Sequence, residues 1–527
     1  MISRRNVSRI GLFLGPLLFV ITLSIHPDSF NSLSVEAQIV LATTVWMAIW
    51  WITEAIPIYV TALLPLVIFP SLYVTGLGET SANYADRVVF LFLGGFLLAK
   101  AVEKSNLHER FALNILKVFG TDPKYIVAGF MAVTGFLSAW MSNTATTMLM
   151  LPIAIAVTEQ FQSAKHQNRF AVCIILSIAY SASIGGMATL IGTPPNAIFA
   201  SLASSILDIE ISFGQWLIIG LPISGISLVI AWLYMIRFGS KVTDITSIVR
   251  EKSLIVEKIS QLGNITRDEK IVAAIFISTA IAWITRGLLW KDLAPAIDDS
   301  TIVLIAAISL FFIPSISSSS YHVRKNRNKI ESEEKMVRSE SKQMANVDNS
   351  DNSDNREIQS ENETKKTTKM LLDWNTAVKI PWGVLLLIGG GLALANAFTA
   401  TGLDEWIASQ LNFLAGMPLI IVILVLVSIT ILSGEIISNT ATAALLIPVA
   451  ASLATVIDVN PLLLMIPITI ATAYGFIMPV GTPPNAIVFA SGRVTTKDMA
   501  KAGFPLDIIG IIIVVALGTT IVPAVWK

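Results

Sequence analysis

The chain has 527 residues, of which 54% are hydrophobic and only 14% charged, and its mean hydropathy is +0.71. Soluble domains carry about a quarter charged residues, so this composition excludes an ordinary water-soluble protein and predicts one embedded in a lipid bilayer. The formal net charge is zero and Cys173 is the only cysteine. Overall charge therefore indicates no partner, and an internal disulfide is excluded.

The apolar segments predict an all-α polytopic membrane protein with about 11 transmembrane helices, because a spanning helix needs about 20 apolar residues. The first segment is predicted to span rather than to be a cleaved signal peptide, since no small-residue cleavage site follows His26. The predicted helices cover 10–25, 39–52, 56–74, 88–102, 170–206, 213–238, 270–289, 301–313, 382–398, 462–492 and 505–525.

Two further apolar stretches, 125–158 and 418–457, are each interrupted by the tripeptide Ser-Asn-Thr. The arms on either side of Ser142-Asn143-Thr144 are too short to cross a bilayer comfortably. Non-helical backbone at membrane depth is tolerated only where protein buries it or where it lines a cavity. We therefore predict two re-entrant hairpins with polar tips at mid-membrane.

Two of the predicted helices, 170–206 and 462–492, contain the run Gly-Thr-Pro-Pro-Asn-Ala, beginning at Gly192 and Gly481. Consecutive prolines remove two backbone donors and disfavour helix at the preceding residue. Both helices are therefore predicted to break there. Paired interruptions at corresponding positions of two halves indicate the binding site of a transporter.

The order of these landmarks reveals an internal duplication. The pairs Gly94-Gly95 and Gly389-Gly390 lie 295 residues apart, the Ser-Asn-Thr tips 296, and the Gly-Thr-Pro-Pro-Asn-Ala runs 289. An odd number of crossings separates the copies, so the repeat is predicted to be inverted, which suits alternating access and an elevator-type transporter.

The duplication gives the predicted domain boundaries. Residues 1–86 form N-terminal scaffold helices, 87–240 the first repeat core, 241–314 further scaffold helices, 315–369 a disordered cytoplasmic loop, and 370–527 the second repeat core. The loop is rich in Ser, Asn, Lys and Glu, a composition that cannot bury enough apolar surface to fold. It is either a tolerated surface insertion or a regulatory segment.

The distribution of Lys and Arg predicts a cytoplasmic N-terminus and an outer C-terminus in a cell membrane. With both hairpins re-entrant, the basic residues concentrate in loops on one face. Those loops hold Lys104, Arg110, Lys117, Lys124, Lys165, Arg169, Arg237, Lys241, Arg250, Lys252, Lys258, Arg267, Arg493, Lys497 and Lys501. If either hairpin crossed fully, this asymmetry would collapse.

The motifs offer hydroxyls, amides and backbone groups, but no Lys, Arg, Asp or His. Helix N-termini after each tip and each Pro-Pro break favour anions, whereas backbone carbonyls can hold Na⁺. A dianion at mid-membrane without arginine needs co-bound cations. Glu435 is the only ionisable residue near a tip, and is either a paired structural carboxylate or a proton or cation ligand.

At these motifs, and at Phe476-x-x-Pro479-Val480-Gly481-x-x-x-Asn485-x-Ile487-Val488, the chain resembles the divalent-anion/sodium symporter family. The resemblance covers nearly all of the chain outside 315–369. It implies an elevator-type homodimer that carries small dianionic or trianionic substrates, with Na⁺ as the coupling ion and no organic cofactor. It implies substrate contacts at Asn143, Thr144, Thr193, Asn439, Thr440 and Pro483. It implies one Na⁺ site at Ser138, Ser142, Asn143 and Gly192, and another at Gly434, Ile437, Asn439 and Gly481.

Two departures from the family pattern affect the second Na⁺ site. Gly434 stands where related sequences can have a hydroxyl residue, and Gly481 where some have alanine. The sequence favours Na⁺-coupled symport of a di- or tricarboxylate such as succinate, malate or citrate. The alternatives are a Na⁺-independent dicarboxylate exchanger, a sulfate/Na⁺ symporter, or a sensor without flux.

An enzyme and an ATP-driven pump find no support in the sequence. The four histidines form no His-Glu-x-x-His pair, and no Gly-Lys-Ser/Thr phosphate loop is present. Nothing indicates a nucleic-acid partner.

Overall fold

The computed structural model describes residues 4–26, 33–120, 122–159, 164–238, 251–290, 293–316, 369–410 and 416–526. Within these ranges the chain is helical, apart from one isolated β-bridge between Pro314 and Met370. Seven of the described helices are long and apolar enough to cross a membrane. The all-α fold is therefore confirmed, while the count of about 11 spans stays a prediction.

The helices of the N-terminal half are numbered in chain order. They are α1 (Arg4–Ser24), α2 (Val35–Thr53), α3 (Ile58–Thr61), α4 (Leu64–Ser71), α5 (Leu77–Ala82), α6 (Arg87–Lys104), α7 (Leu107–Phe119), α8 (Pro123–Ser138), α9 (Asn143–Thr158), α10 (Ala164–Gly186), α11 (Pro194–Leu207) and α12 (Phe213–Phe238).

The helices of the C-terminal half continue the numbering. Its helices are α13 (Glu251–Leu262), α14 (Arg267–Thr285), α15 (Asp299–Phe312), α16 (Trp374–Ala377), α17 (Trp382–Thr401), α18 (Leu403–Gln410), α19 (Leu419–Gly434), α20 (Asn439–Val456), α21 (Leu462–Ala471), α22 (Pro483–Ala490) and α23 (Thr496–Val525).

The prediction of one helix over 56–74 is wrong. The structure has α3 and α4 with a turn between them, and Pro65 occupies the first turn of α4. Proline is favoured at that position but removes a hydrogen bond from a helix interior. The apolar run is continuous in the sequence, so only the proline reveals the break.

Among the helices that were missed, the two longest are α7 and α13, which lie in stretches interpreted as loops. Helix α7 buries Leu107, Ala112, Leu113 and Leu116 along one face and leaves charged residues on the other, the 3.6-residue pattern of an amphipathic helix. Helix α13 is the second. Both stretches carry several Lys and Arg residues, which are typical of loops between membrane spans, and this composition hides the helical periodicity.

Both broken helices unwind earlier than predicted. Helix α10 ends at Gly186, six residues before Gly192, and α21 ends at Ala471, ten before Gly481. In the second break Gly475 adopts φ +136°, a conformation that other residues rarely take. The prolines therefore mark where each helix restarts, and the preceding helix stops at glycine-bearing sequence upstream.

The Gly-Gly pairs allow helices to approach closely. A Cβ on Gly94 would lie 2.5 Å from Val303 Cγ1 of α15, and one on Gly390 would lie 2.3 Å from Ala62 O. Small residues permit this close packing within membranes. Helices α6 and α17, which carry the pairs, thus each make a close packing contact with another part of the chain.

Most of the predicted disordered loop, 317–368, lies outside the described residues. Its two ends are joined, because Ser315 N donates to Lys369 O at 2.7 Å and Leu371 N donates to Ile313 O at 2.9 Å. The remaining predicted domain boundaries stay predictions.

Candidate ion and anion site

Both Ser-Asn-Thr tips adopt one backbone conformation. Ser142 and Ser438 are the N-caps of α9 and α20, each with φ −62° and ψ 140°. Their hydroxyls accept from Ala145 N at 3.2 Å and from Ala441 N at 3.3 Å. Serine is favoured at an N-cap because its oxygen satisfies a free amide of the first turn. The predicted interruption of each hairpin is confirmed, whereas its depth in the membrane stays a prediction.

The capping fixes where the predicted substrate residues of the tips lie. Asn143 and Thr144 are the first two residues of α9, and Asn439 and Thr440 the first two of α20. All four are half-buried. They therefore sit at helix N-termini, whose partial positive charge favours anions.

The two Pro-Pro runs open the restarting half-helices α11 and α22. Thr193 and Thr482 are the N-caps, and only the Thr482 hydroxyl accepts a capping bond, from Asn485 N at 3.2 Å. Thr193 is buried, with no side-chain cap bond. Its hydroxyl thus has no capping duty and suits a ligand contact better than that of Thr482.

The two halves of the chain pack against each other through the helices that carry the motifs. Helix α11 packs against α20, the second arm of the other half's hairpin, and α22 packs against α9. Tyr180 of α10 also donates to Phe476 O at 3.3 Å, and its ring lies 4.7 Å from that of Phe476. The helix that follows each Ser-Asn-Thr tip is thus contacted by a restarting half-helix from the other half of the chain.

The first tip forms a compact cluster of oxygen atoms. Ser138 is fully buried, and its hydroxyl lies 2.6 Å from Asn143 Oδ1 and 2.7 Å from Ala182 O. A Cβ on Gly186 would lie 2.6 Å from Asn143 Oδ1 and 3.2 Å from Gly192 O. The residues predicted for the first Na⁺ are therefore brought together around Gly186, and Ser142 adjoins them as the cap.

The second tip forms a related cluster around Gly481. A Cβ on Gly481 would lie 3.1 Å from Gly475 O, 3.2 Å from Glu435 Oε2 and 3.3 Å from Gly434 O. Asn439 Oδ1 is buried without a hydrogen-bond partner among the described residues, and lies 3.6 Å from the Cβ position of Gly434. Converging oxygens beside an orphaned acceptor fit a cation such as Na⁺. Ile437 lies half-buried in the adjoining turn.

Asn196 and Asn485 are functional candidates that the sequence analysis left out of the site. Both are fully buried. Asn196 Nδ2 donates to Thr189 O at 2.7 Å, and Asn485 Nδ2 donates to Gly475 O at 3.0 Å and Met478 O at 3.1 Å. They hold the unwound segments in place. Their repetition within the Gly-Thr-Pro-Pro-Asn-Ala run was the signal that could have found them.

Glu435 and Asp507 form a buried carboxyl pair at the second break. Glu435 accepts from Ile477 N at 2.9 Å and Met478 N at 2.7 Å, and Asp507 accepts from Phe476 N at 3.2 Å. Both carboxyl groups thus accept from backbone N–H groups of one unwound segment, Phe476 to Met478. The sequence analysis found Glu435 but not Asp507, which lies 72 positions along the chain.

The two restarting half-helices differ in exposure. Pro194 is half-buried and Ala197 fully buried, whereas Pro483 and Ala486, their equivalents 289 positions later, are exposed. The start of α22 is thus more exposed than the start of α11, although the two sequences are nearly the same.

The matching family model is that of the sodium:sulfate symporter transmembrane region, which spans residues 10–526. The chain belongs to this family. The resemblance drawn from the motifs is thereby confirmed, and so is the prediction of a transporter rather than an enzyme, since the family is one of symporters.

Curated relatives match along nearly the whole chain. The chain is 39% identical over 526 residues to the sodium-dependent dicarboxylate transporter SdcS of Staphylococcus saprophyticus, covering 98% of this chain and 92% of that protein. It is 38% identical to SdcS of Staphylococcus aureus strain RF122, with 98% and 91% covered.

Two solved transporters share the fold at low sequence identity. Neisseria gonorrhoeae MtrF matches with a TM-score of 0.50 at 13% identity, over 84% of this chain and 83% of that one. The Alcanivorax borkumensis YdaH transporter also matches with a TM-score of 0.50 at 13% identity, over 91% and 98%. Both support the all-helical transporter architecture.

Proposed function

We propose that this family member is a secondary active transporter that couples inward Na⁺ movement to uptake of a di- or tricarboxylate such as succinate, malate or citrate. The observation that carries the proposal is the pair of oxygen clusters around Gly186 and Gly481, each adjoining a capped helix N-terminus. The names of the Staphylococcus relatives support a dicarboxylate as substrate and Na⁺ as coupling ion.

The division of labour follows from the chemistry of each group. Carbonyl and amide oxygens of the clusters hold Na⁺, while helix N-termini and the side chains of Asn143, Thr144, Thr193, Asn439 and Thr440 bind the carboxylates. Pro483 contributes shape at the start of α22. Bound Na⁺ supplies the positive charge that the four motifs lack, so the anion binds well only after the cation.

The proposal extends to an elevator movement in a homodimer. Helices α6–α12 and α16–α23, which make up the two repeat cores, carry the site and move together, while α1–α5 and α13–α15 form the scaffold and the dimer contact. The crossed packing of α11 on α20 and of α22 on α9 supports one moving body, since it ties the two motif-bearing regions together. The N-terminus lies in the cytoplasm and the C-terminus outside, as the Lys and Arg distribution favours.

Uptake by proteoliposomes tests this function. Labelled succinate is expected to accumulate when Na⁺ is present outside, and to fail to accumulate when K⁺ or Li⁺ replaces it. Uptake that ignores Na⁺ but rises with internal succinate would identify an exchanger. Competition by excess sulfate, with no succinate moved, would identify a sulfate symporter, and saturable binding without flux would identify a sensor.

A further inference from the structure

The two oxygen clusters differ in one charged residue. Position 435 is glutamate, whereas the equivalent position of the first hairpin, 296 residues earlier, is Ala139. Glu435 is 5% exposed, and its Oε2 lies 3.2 Å from the Cβ position of Gly481. A carboxylate oxygen thus reaches the same small space as the carbonyl oxygens of Gly434 and Gly475.

The first half achieves the structural part of this arrangement without a charge. There the hydroxyl of Thr189 donates to Ala139 O and so joins the unwound segment to the hairpin tip. In the second half Met478, which is equivalent to Thr189, makes the same connection through its backbone N and Glu435 Oε2 at 2.7 Å. A neutral acceptor would suffice for that link, so the charge calls for a separate explanation.

The charge of Glu435 also lacks a cationic side-chain partner in the described part of the chain, where the ion pairs join other residues. A buried charge at membrane depth is unfavourable unless an opposite charge compensates it. The adjoining cation position provides that compensation.

We propose that the Glu435 carboxylate is a direct ligand of the second Na⁺, which makes the second site anionic and the first site neutral. This inference rests on the proposed function. At the position equivalent to Gly434, Ser138 places a hydroxyl against Asn143 Oδ1, whereas Gly434 has no such group. Glu435 therefore supplies an oxygen ligand in place of the missing hydroxyl and adds a negative charge, so the second site binds Na⁺ more tightly.

Equilibrium binding to the purified full-length protein tests the proposal without transport. The unfolding temperature is measured over a range of NaCl concentrations, with choline chloride holding ionic strength constant and no substrate present. Bound Na⁺ stabilises the folded state by mass action. Glu435→Gln is expected to raise the half-maximal Na⁺ concentration at least tenfold. Glu159→Gln, a matched change at an exposed ion pair with Arg493, is expected to leave it unchanged.

A purely structural role predicts a different result. Glu435→Gln would then lower the unfolding temperature at every salt concentration while the half-maximal Na⁺ concentration stayed that of wild type, and this outcome would overturn the proposal. If Glu435→Gln does not fold, Glu435→Asp decides, since it keeps the charge but shortens its reach. A raised Na⁺ requirement supports ligation, and a wild-type requirement rejects it.

A hydroxyl at position 434 provides an independent check. A Cβ there would lie 3.3 Å from Tyr474 O and 3.6 Å from Asn439 Oδ1, so Gly434→Ser fits with small adjustments. In the Glu435→Gln background it is expected to restore part of the Na⁺ affinity, and failure to do so would count against a shared site. Absence of any Na⁺ effect on the wild type would instead refute the proposed function itself.

Discussion

Ser138 and Asn143 are linked across the first hairpin tip, where the buried Ser138 hydroxyl lies 2.6 Å from Asn143 Oδ1. Among the described residues, the corresponding Asn439 Oδ1 has no such partner, because position 434 is glycine. The amide oxygen of Asn143 is thus held by a hydrogen bond, whereas that of Asn439 is available to a ligand. The two tips therefore share one backbone conformation but differ in their side-chain contacts.

Replacement of either tip asparagine is expected to abolish Na⁺-dependent uptake. Asn143→Ala and Asn439→Ala each remove an amide oxygen from an oxygen cluster, and no neighbouring side chain can replace it. Succinate uptake into proteoliposomes should fall below about a tenth of the wild-type rate, since loss of a hydrogen-bonded or ligating group typically costs a few kcal/mol. Asn114→Ala, on the exposed face of α7, is the control. Normal uptake by either tip variant would refute the site.

Much of the architecture could be predicted from the sequence, because a membrane-spanning helix requires an apolar run of about 20 residues. Helix α12 was predicted with the observed bounds, Phe213–Phe238. Both tips were found because Ser-Asn-Thr interrupts apolar sequence twice at one interval. Such signals are local, and a repeated local signal is strong.

The rest depended on contacts between residues distant in the chain. No local sequence signal shows that Asp507 and Glu435 both accept hydrogen bonds from the segment 476–478, or that Asn485 donates to Gly475 O. The early ends of α10 and α21, at Gly186 and Ala471, lie upstream of the prolines that mark each break in the sequence. The exposure difference between Pro194 and Pro483 cannot be predicted from nearly identical motifs.

Loss of the Arg110 side chain is expected to destabilise the fold without changing the Na⁺ requirement. Its Nε donates to Glu269 Oε1 at 2.7 Å and its Nη2 to Oε2 at 3.2 Å, and the Glu269 side chain is only 2% exposed. Arg110→Ala leaves a buried carboxylate without its partner, which costs about 3–5 kcal/mol. Thermal unfolding in detergent should show a clear drop.

The control for this change is the pair Lys100–Glu103, which is more exposed. Lys100→Ala is expected to change the unfolding temperature little, because exposed ion pairs contribute about 0–1 kcal/mol. Equal losses in the two variants would mean that the Arg110 pair is not specially stabilising.

Removal of 331–363 is expected to leave transport intact. The segment lies within 317–368, outside the described residues, and its composition predicts no packed core. The hydrogen bond from Ser315 N to Lys369 O already joins the ends, so a shorter connection suffices. Uptake per molecule at normal expression measures the effect. A loss of uptake would show instead that the segment regulates the transporter.

Cysteine labelling is expected to distinguish the exposed start of α22 from the buried start of α11. The native Cys173 is buried, so an introduced cysteine is the reactive one. Ala486→Cys, on the exposed face of α22, should react with a membrane-impermeant maleimide added to the purified protein. Ala197→Cys, its fully buried equivalent, should not react. Because the two positions share one sequence motif, unequal labelling reports conformation rather than local chemistry, and equal labelling would contradict the observed asymmetry.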